Sequence, residues 1–244
     1  MARGEDRVER FYDRHPINEE QILAALSERG VRSHDITPEA LREHDQDHYG
    51  GVAALETLAR RAGIEAVHFV LDVCSGLGGP ARHLAHTRGC RVVGVDFTES
   101  RHRAALRLTR LARLAHRVSF VRADARDVPF PDASFDVAIS QEAFAHVPDK
   151  PRLVAELARL VRPGGVIAFT DIVRRAVLEP SVAERLRDDM TFHDIASADE
   201  YAALLAAAGC ASVHSEDLSA AGTRLLSQRL AMYRGMRATT VRKH

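Results

Sequence analysis

The chain is predicted to fold as a doubly wound α/β domain with a mostly parallel sheet. Three observations lead there. From Phe69 onward, short β-rich runs alternate with helical patterns, which calls for parallel strands joined by crossover helices. Several of these runs are continuously apolar, as strands covered on both faces are. The first of them ends in a glycine-rich turn that enters a helix, and open α/β sheets bind ligands beyond such strand ends.

Residues 1–67 precede the alternation and read as two or three helices forming a cap over the mouth of the sheet. Within them, Asp35-Ile36-Thr37-Pro38-Glu39 looks like a capped helix start, with Pro38 at the first helical position. Residues 68–218 form the α/β domain, with strands predicted at His68–Val73, Arg91–Val95, Val118–Val121, Asp136–Ser140 and Val166–Thr170. A weaker sixth strand falls at Ser212–His214. Pro80–His86 opens the first crossover helix. Ser100–Ala115 follows, with Ala105, Leu108, Leu111 and Ala112 at helical spacing. Pro151–Val161 sets Leu153, Val154, Leu157 and Leu160 on one face and stops at Arg162-Pro163-Gly164-Gly165. Ser197 caps a last helix, and Gly209 lies just past its end. Residues 219–244 are expected to hold a helix over Arg224–Arg234 and a tail in which only Thr239–Val241 suits a strand.

The length, 244 residues, suits one domain with a full core, and the 45% hydrophobic and 28% charged shares are ordinary for a globular protein. Lys+Arg and Asp+Glu each number 34, so no bulk basic field draws in nucleic acid or an anionic membrane. No apolar run approaches the ~20 residues that span a bilayer, and Met1–Arg14 lacks the apolar stretch of a signal peptide. Cys74, Cys90 and Cys210 are too scattered for a disulfide framework or a zinc site. A cytoplasmic protein with neither nucleic-acid nor membrane partners is expected.

Chemistry concentrates in Val70-Leu71-Asp72-Val73-Cys74-Ser75-Gly76-Leu77-Gly78-Gly79-Pro80. Glycine in that turn lets the backbone approach a ligand where a side chain would intrude. A P-loop is disfavoured because no Gly-Lys-Ser/Thr follows, and Cys74 stands where a dinucleotide fingerprint has its first glycine. Asp96 ends the second strand, placed to accept hydrogen bonds from a ribose diol; Asp124 ends the third, where it can face the exocyclic amine of an adenine. One strand-end aspartate is ordinary turn chemistry. Three at successive strand ends behind a glycine turn are hard to explain as punctuation.

These segments, with Ser134-Phe135-Asp136-Val137 and Arg162-Pro163-Gly164-Gly165, resemble the class I S-adenosylmethionine-dependent methyltransferases over residues 70–171. The finer pattern resembles the sarcosine/dimethylglycine methyltransferases and their small-molecule relatives. It rests on His48-Tyr49-Gly50-Gly51, Cys74–Arg82, Ser140–Val147, Asp149-Lys150 and Phe169-Thr170-Asp171. The resemblance implies a Rossmann-like sheet of order 3-2-1-4-5-7-6 and S-adenosyl-L-methionine as cofactor, released as S-adenosyl-L-homocysteine. It assigns Asp72 and Gly76 to the methionyl end, Asp96 to the ribose, and Asp124 with Ala125 to the adenine. Tyr49, Cys74, Ser75, Gly78, Phe97, Arg101 and Gln141 complete the expected cofactor contacts. The chain departs from the family at its end: either the usual antiparallel final strand is vestigial, or another element, or a second subunit as in a homodimer, covers the sheet edge.

Methyl transfer is an in-line displacement, so the enzyme positions the acceptor and frees its electron pair. Glu142 and His146, four residues apart after the fourth strand, are the candidate catalytic pair, with His146 expected to titrate near its ordinary ~6.5. Packing beside Pro148 is the alternative for His146. Tyr49 is the candidate cap residue, its phenol or ring face set against the sulfonium. Gln141, His146, Arg174 and Phe192 are expected at the substrate, Arg174 through a carboxylate or phosphate. The run Arg101, Arg103, Arg107, Arg110 and Arg113 otherwise reads as a solvated helix face. His44 and His48 have i, i+4 spacing but no glutamate between them, and no metal is expected. The expected function is methyl transfer to a small-molecule acceptor, an amine nitrogen first. The alternatives are carbon or oxygen transfer to a metabolite such as a prenyl diphosphate, or a non-catalytic cofactor-fold partner.

Overall fold

The structure is a computed structural model that describes residues 2–227 and 230. Its N-terminal part comprises α1 (Ala2–Asp13), α2 (Glu19–Glu28), the single turn α3 (Pro38–Leu41) and α4 (Gly51–Arg61). Asn18 caps α2 by accepting the Gln21 N–H, and Thr37 caps α3 ahead of Pro38. Then follow β1 (Phe69–Val73), α5 (Gly79–Arg88), β2 (Arg91–Asp96), α6 (Glu99–Leu111), β3 (Val118–Arg122) and β4 (Phe135–Gln141). The remaining elements are α7 (Lys150–Leu160), β5 (Val161–Thr170), α8 (Pro180–Met190) and α9 (Ala198–Ala207).

The strands form a five-stranded sheet of order β3-β2-β1-β4-β5, and every neighbouring pair is parallel. This is the doubly wound α/β fold expected from the sequence, with its switch point between β1 and β4. Val70 sits level with Val92 on one side and Val137 on the other. Such strands are buried on both faces, which is why their sequences run apolar rather than alternating. One face packs Val70, Val92 and Ile139 against Leu55, Leu84 and Leu108 from the helices. The other packs Leu71, Val93 and Phe135 against Leu153, Leu157 and Leu160 of α7. Truncating one of these fully buried leucines to alanine costs about 2–5 kcal/mol. The N-terminal helices lie on one flank: α1 against α6, and α3 and α4 against α5.

Two strand expectations change. β5 begins at Val161 rather than Val166, because Pro163-Gly164-Gly165 forms a bulge between the pairings Phe135–Val161 and Val137–Val166. Glycine is required at 165, since a Cβ there would strike the Asp136 carbonyl. Ser212–His214 is not a strand: it is irregular and exposed, without a ladder partner among the described residues. Ser197 does cap α9, in a reciprocal box with Glu200. Residues 219–227 are helical; Thr239–Val241 and most of the expected 224–234 helix beyond 227 lie outside the described residues. No described helix is long and apolar enough to cross a membrane.

Candidate active site

The turn after β1 is built from alternating left-handed residues: Cys74, Gly76 and Gly78 have φ of 58°, 52° and 75°. The Ser75 N–H donates to the Val95 carbonyl at 2.9 Å, tying the turn to β2. The glycines serve different ends. A Cβ on Gly76 would meet nothing, because that position faces an open cavity. On Gly78 it would run into the Phe120 ring, and on Gly79 into the Asp45 carbonyl. Gly78, expected at the cofactor, is therefore a packing glycine outside the cavity wall.

The cavity has a volume of about 300 Å³ and runs along the carboxyl ends of the strands, a size suited to a small-molecule site. One half is lined by Asp72, Cys74, Ser75 and Gly76, by Asp96 and Phe97, and by Asp124 and Ala125. Asp96 accepts the N–H groups of Gly76 and Thr98, each at 2.9 Å, which orients its carboxylate. Asp124 is gripped by Arg126, whose Nη2 lies 2.5 Å from Oδ2.

Burial dominates the electrostatics of this half. It lifts the Asp72 carboxyl from its ordinary value to about 7, with Asp96 adding to the effect. It raises Asp96 as well, outweighing the two backbone donors, and pushes the Cys74 thiol up beside these acids. Asp124 goes the other way: burial opposes ionisation, but the Arg126 hydrogen bonds overcome it and hold the carboxyl low. Four buried polar atoms of cavity residues, Asp72 Oδ2, Ser75 Oγ, Arg101 Nε and Gln141 Oε1, have no protein partner among the described residues. An uncompensated buried polar atom costs about 1–3 kcal/mol, so a ligand with donors belongs among them.

The other half follows β4 and β5 and is roofed by α1. Glu142 takes a left-handed backbone at φ 56°, with its N–H donating to the Thr170 carbonyl. Its carboxylate accepts the Tyr49 N–H at 2.6 Å. His146 stands between two hydroxyls: Tyr12 lies 3.2 Å from Nε2, and Thr191 Oγ1 lies 2.9 Å from Nδ1. The Phe192 ring meets the imidazole edge to face at 5.0 Å. Burial, reinforced by His193, Lys150 and His15, lowers His146 to about 4, so it is neutral at physiological pH rather than titrating near 6.5 as expected. Gln141 Nε2 reaches His48 Nδ1 at 3.1 Å and links the halves.

The roof holds residues that sequence reasoning missed. Val8, Phe11, Tyr12 and His15 line the cavity from α1 and the turn after it. Tyr12 lies against the Arg101 guanidinium at 4.9 Å, and burial raises its phenol far above the ordinary range. Arg101 is 3% exposed, not solvated, and its Nη1 donates to the Ile17 carbonyl at 2.7 Å. Arg103, Arg107, Arg110 and Arg113 are exposed as expected. The segment before Tyr49 is keyed in place by a buried ion pair, Arg82 Nη2 to Asp45 Oδ2 at 2.8 Å, with Thr109 Oγ1 accepting from the same guanidinium. Arg174 is corrected too: it pairs with Glu200 and does not line the cavity. His44 faces Arg29 whereas His48 faces Gln46, and among the described residues no group of three potential ligands gathers around a metal position.

Residues 71–169 match the family model described as a methyltransferase domain. Methyltransferase GfsG of Streptomyces halstedii is 34% identical over 224 residues, which cover 84% of this chain and 81% of that protein. Sarcosine/dimethylglycine N-methyltransferase of Halorhodospira halochloris is 30% identical, over 68% of this chain and 59% of its own length. Phosphoethanolamine N-methyltransferase 2 of Haemonchus contortus shares the fold, with a TM-score of 0.74 at 22% identity over 96% of this chain and 51% of its own. Names among other relatives extend to carbon and oxygen methylation.

Proposed function

The chain belongs to the class I S-adenosylmethionine-dependent methyltransferases, and from that premise we propose that it methylates an amine nitrogen of a small molecule held between α1 and the 142–148 turn. S-adenosyl-L-methionine is the cofactor, and when bound it supplies an electrophilic methyl on a positive sulfur. The acidic half of the cavity suits it: the orphaned Asp72 oxygen fits its ammonium, Asp96 its ribose diol, and Asp124 with Ala125 its adenine. Gly76 leaves room for its methionyl chain.

The observation that carries the nitrogen reading is Glu142. Its carboxylate lines the cavity from a left-handed backbone position, a conformation that costs of order 1–3 kcal/mol for a non-glycine residue and concentrates at functional sites. An amine approaching this carboxylate is drawn and oriented by its N–H groups. The aromatic walls strip water from it and favour its neutral form, which is the nucleophilic one. His146, held neutral, keeps its two ring nitrogens on Tyr12 and Thr191 and so fixes the Tyr12 phenol that faces the acceptor. Tyr49 closes against Glu142 from the opposite side. Residues 1–67 act as a lid, with α1 and the segment ending at Tyr49 as the parts that touch ligand.

A hydroxyl acceptor is the second reading. The observation favouring it is the Tyr12–His146 hydrogen bond, through which the imidazole can take up the single proton an alcohol must lose. Incubation with methyl-labelled cofactor and parallel panels of amines and alcohols, read by mass spectrometry, separates the two. Label on amines supports the proposal. Label on alcohols alone replaces it with the second reading.

A further inference from the structure

We infer that the acceptor presents its reacting atom from an apolar, ring-bearing body that carries neither carboxylate nor phosphate. This rests on the acceptor entering the β4–β5 half of the cavity. The walls there are Phe11, Tyr12, Val147, Ile172, Met190 and Phe192. Part of this apolar lining reaches the surface: Met190 is 36% exposed and Ile172 is half-buried. A body larger than the cavity thus meets apolar surface as it emerges.

The charges point the same way. Carboxylates of Asp47 and Glu142 border this half, with Asp72 and Asp96 behind them. An acid group placed there faces like charge and gives up its hydration with no uncommitted arginine or lysine, among the described residues, to meet it. The arginines and the lysine nearest this half are committed elsewhere. Among the described residues, the arginines lining the cavity are Arg101, stacked on Tyr12 and 3.7 Å from Asp47, and Arg126, on the cofactor side. The first is held by the Ile17 and Tyr12 carbonyls, the second by Asp124. Lys150, at the base of the turn, donates to the Val147 and Asp194 carbonyls at 2.7 and 2.6 Å and does not reach the cavity wall. Arg174 and Arg175, which follow β5, turn outward to Glu200 and Asp217.

The test uses the full chain loaded with S-adenosyl-L-homocysteine and matched probes: 2-phenylethylamine against phenylalanine and sarcosine, and 2-phenylethanol against 3-phenyllactate. Binding is read by saturation-transfer NMR and calorimetry, and labelled methyl transfer is read from the cofactor-loaded protein. The neutral-bodied member of a pair should bind at least tenfold better than its acid. Ile172→Arg, which adds a cation to the wall, should shrink or reverse that ratio. Preference for sarcosine, phenylalanine or phenyllactate in the parent would overturn the inference, and so would failure of both acid-free probes to bind. If 2-phenylethanol is methylated and 2-phenylethylamine is not, the charge inference stands and the nitrogen reading falls.

Discussion

Binding of the cofactor should expel a proton from Asp72. In the free protein this carboxyl is buried, lies near Asp96 and has an oxygen without a partner among the described residues, and burial first and Asp96 second lift it from 3.8 to about 7. A group with that value is roughly three-quarters protonated at pH 6.5 and about one-tenth protonated at pH 8. The methionyl ammonium set against it favours the ionised form. Binding S-adenosyl-L-homocysteine should therefore release about 0.7 proton at pH 6.5 and about 0.1 at pH 8. Calorimetry in buffers of different ionisation enthalpy counts these protons. Affinity should weaken as pH falls below 7, towards tenfold per unit. Folding carries the other sign. An acid raised on folding contributes stability that is complete below the unfolded value of 3.8 and is lost as pH rises through about 7. The free protein should thus lose stability across that window, and Asp72→Asn should remove both the pH dependence and the released proton. No release at pH 6.5, or equal release from Asp72→Asn, would refute the reasoning.

Three further outcomes are expected. Arg82→Ala strands the buried Asp45 carboxylate, at about 3–5 kcal/mol, so scanning calorimetry should show Tm falling by roughly 6–20 °C; an unchanged Tm would mean the pair contributes nothing. His146→Ala should lower kcat/KM by about 10²-fold with cofactor affinity intact. Because His146 is held near 4, the rate should show no limb from it between pH 5.5 and 8, and a limb near 6.5 that vanishes in the variant would contradict the neutral assignment. Hydrogen exchange over α1 and residues 43–52 should slow when cofactor binds, and unchanged exchange there would sink the lid.

The sheet was legible because its signals are local. Apolar runs fix buried strands, Gly76 and its neighbours fix the turn, and Asp96 and Asp124 mark strand ends whatever the rest of the chain does. A cap over residues 1–67 was expected, but the α1 side chains that roof the cavity were not legible, because their contacts are distant in sequence. Tyr12 sits in a charged amphipathic helix and becomes a site residue only when α1 packs on α6 and brings it 3.2 Å from His146. Arg101 carries the same sequence signal as Arg103, yet one is buried and the other exposed; the carbonyls of Ile17 and Tyr12 that hold Arg101 lie more than 80 residues away. Gly78 looked like Gly76 until Phe120 arrived from β3 to fill the space beside it. The low value of His146 likewise depends on burial by Phe192 and α1, which spacing alone does not encode.

The central claim is that the acids at the strand ends hold the cofactor, and titration calorimetry of S-adenosyl-L-homocysteine into the parent and Asp96→Ala tests it most directly. The parent should bind in the micromolar range, about −8 kcal/mol. Loss of the Asp96 acceptor should remove roughly 1.5–3 kcal/mol, a weakening of about 10- to 150-fold. Equal affinity in the two proteins would contradict the account, because the ribose would then lie somewhere other than the end of β2.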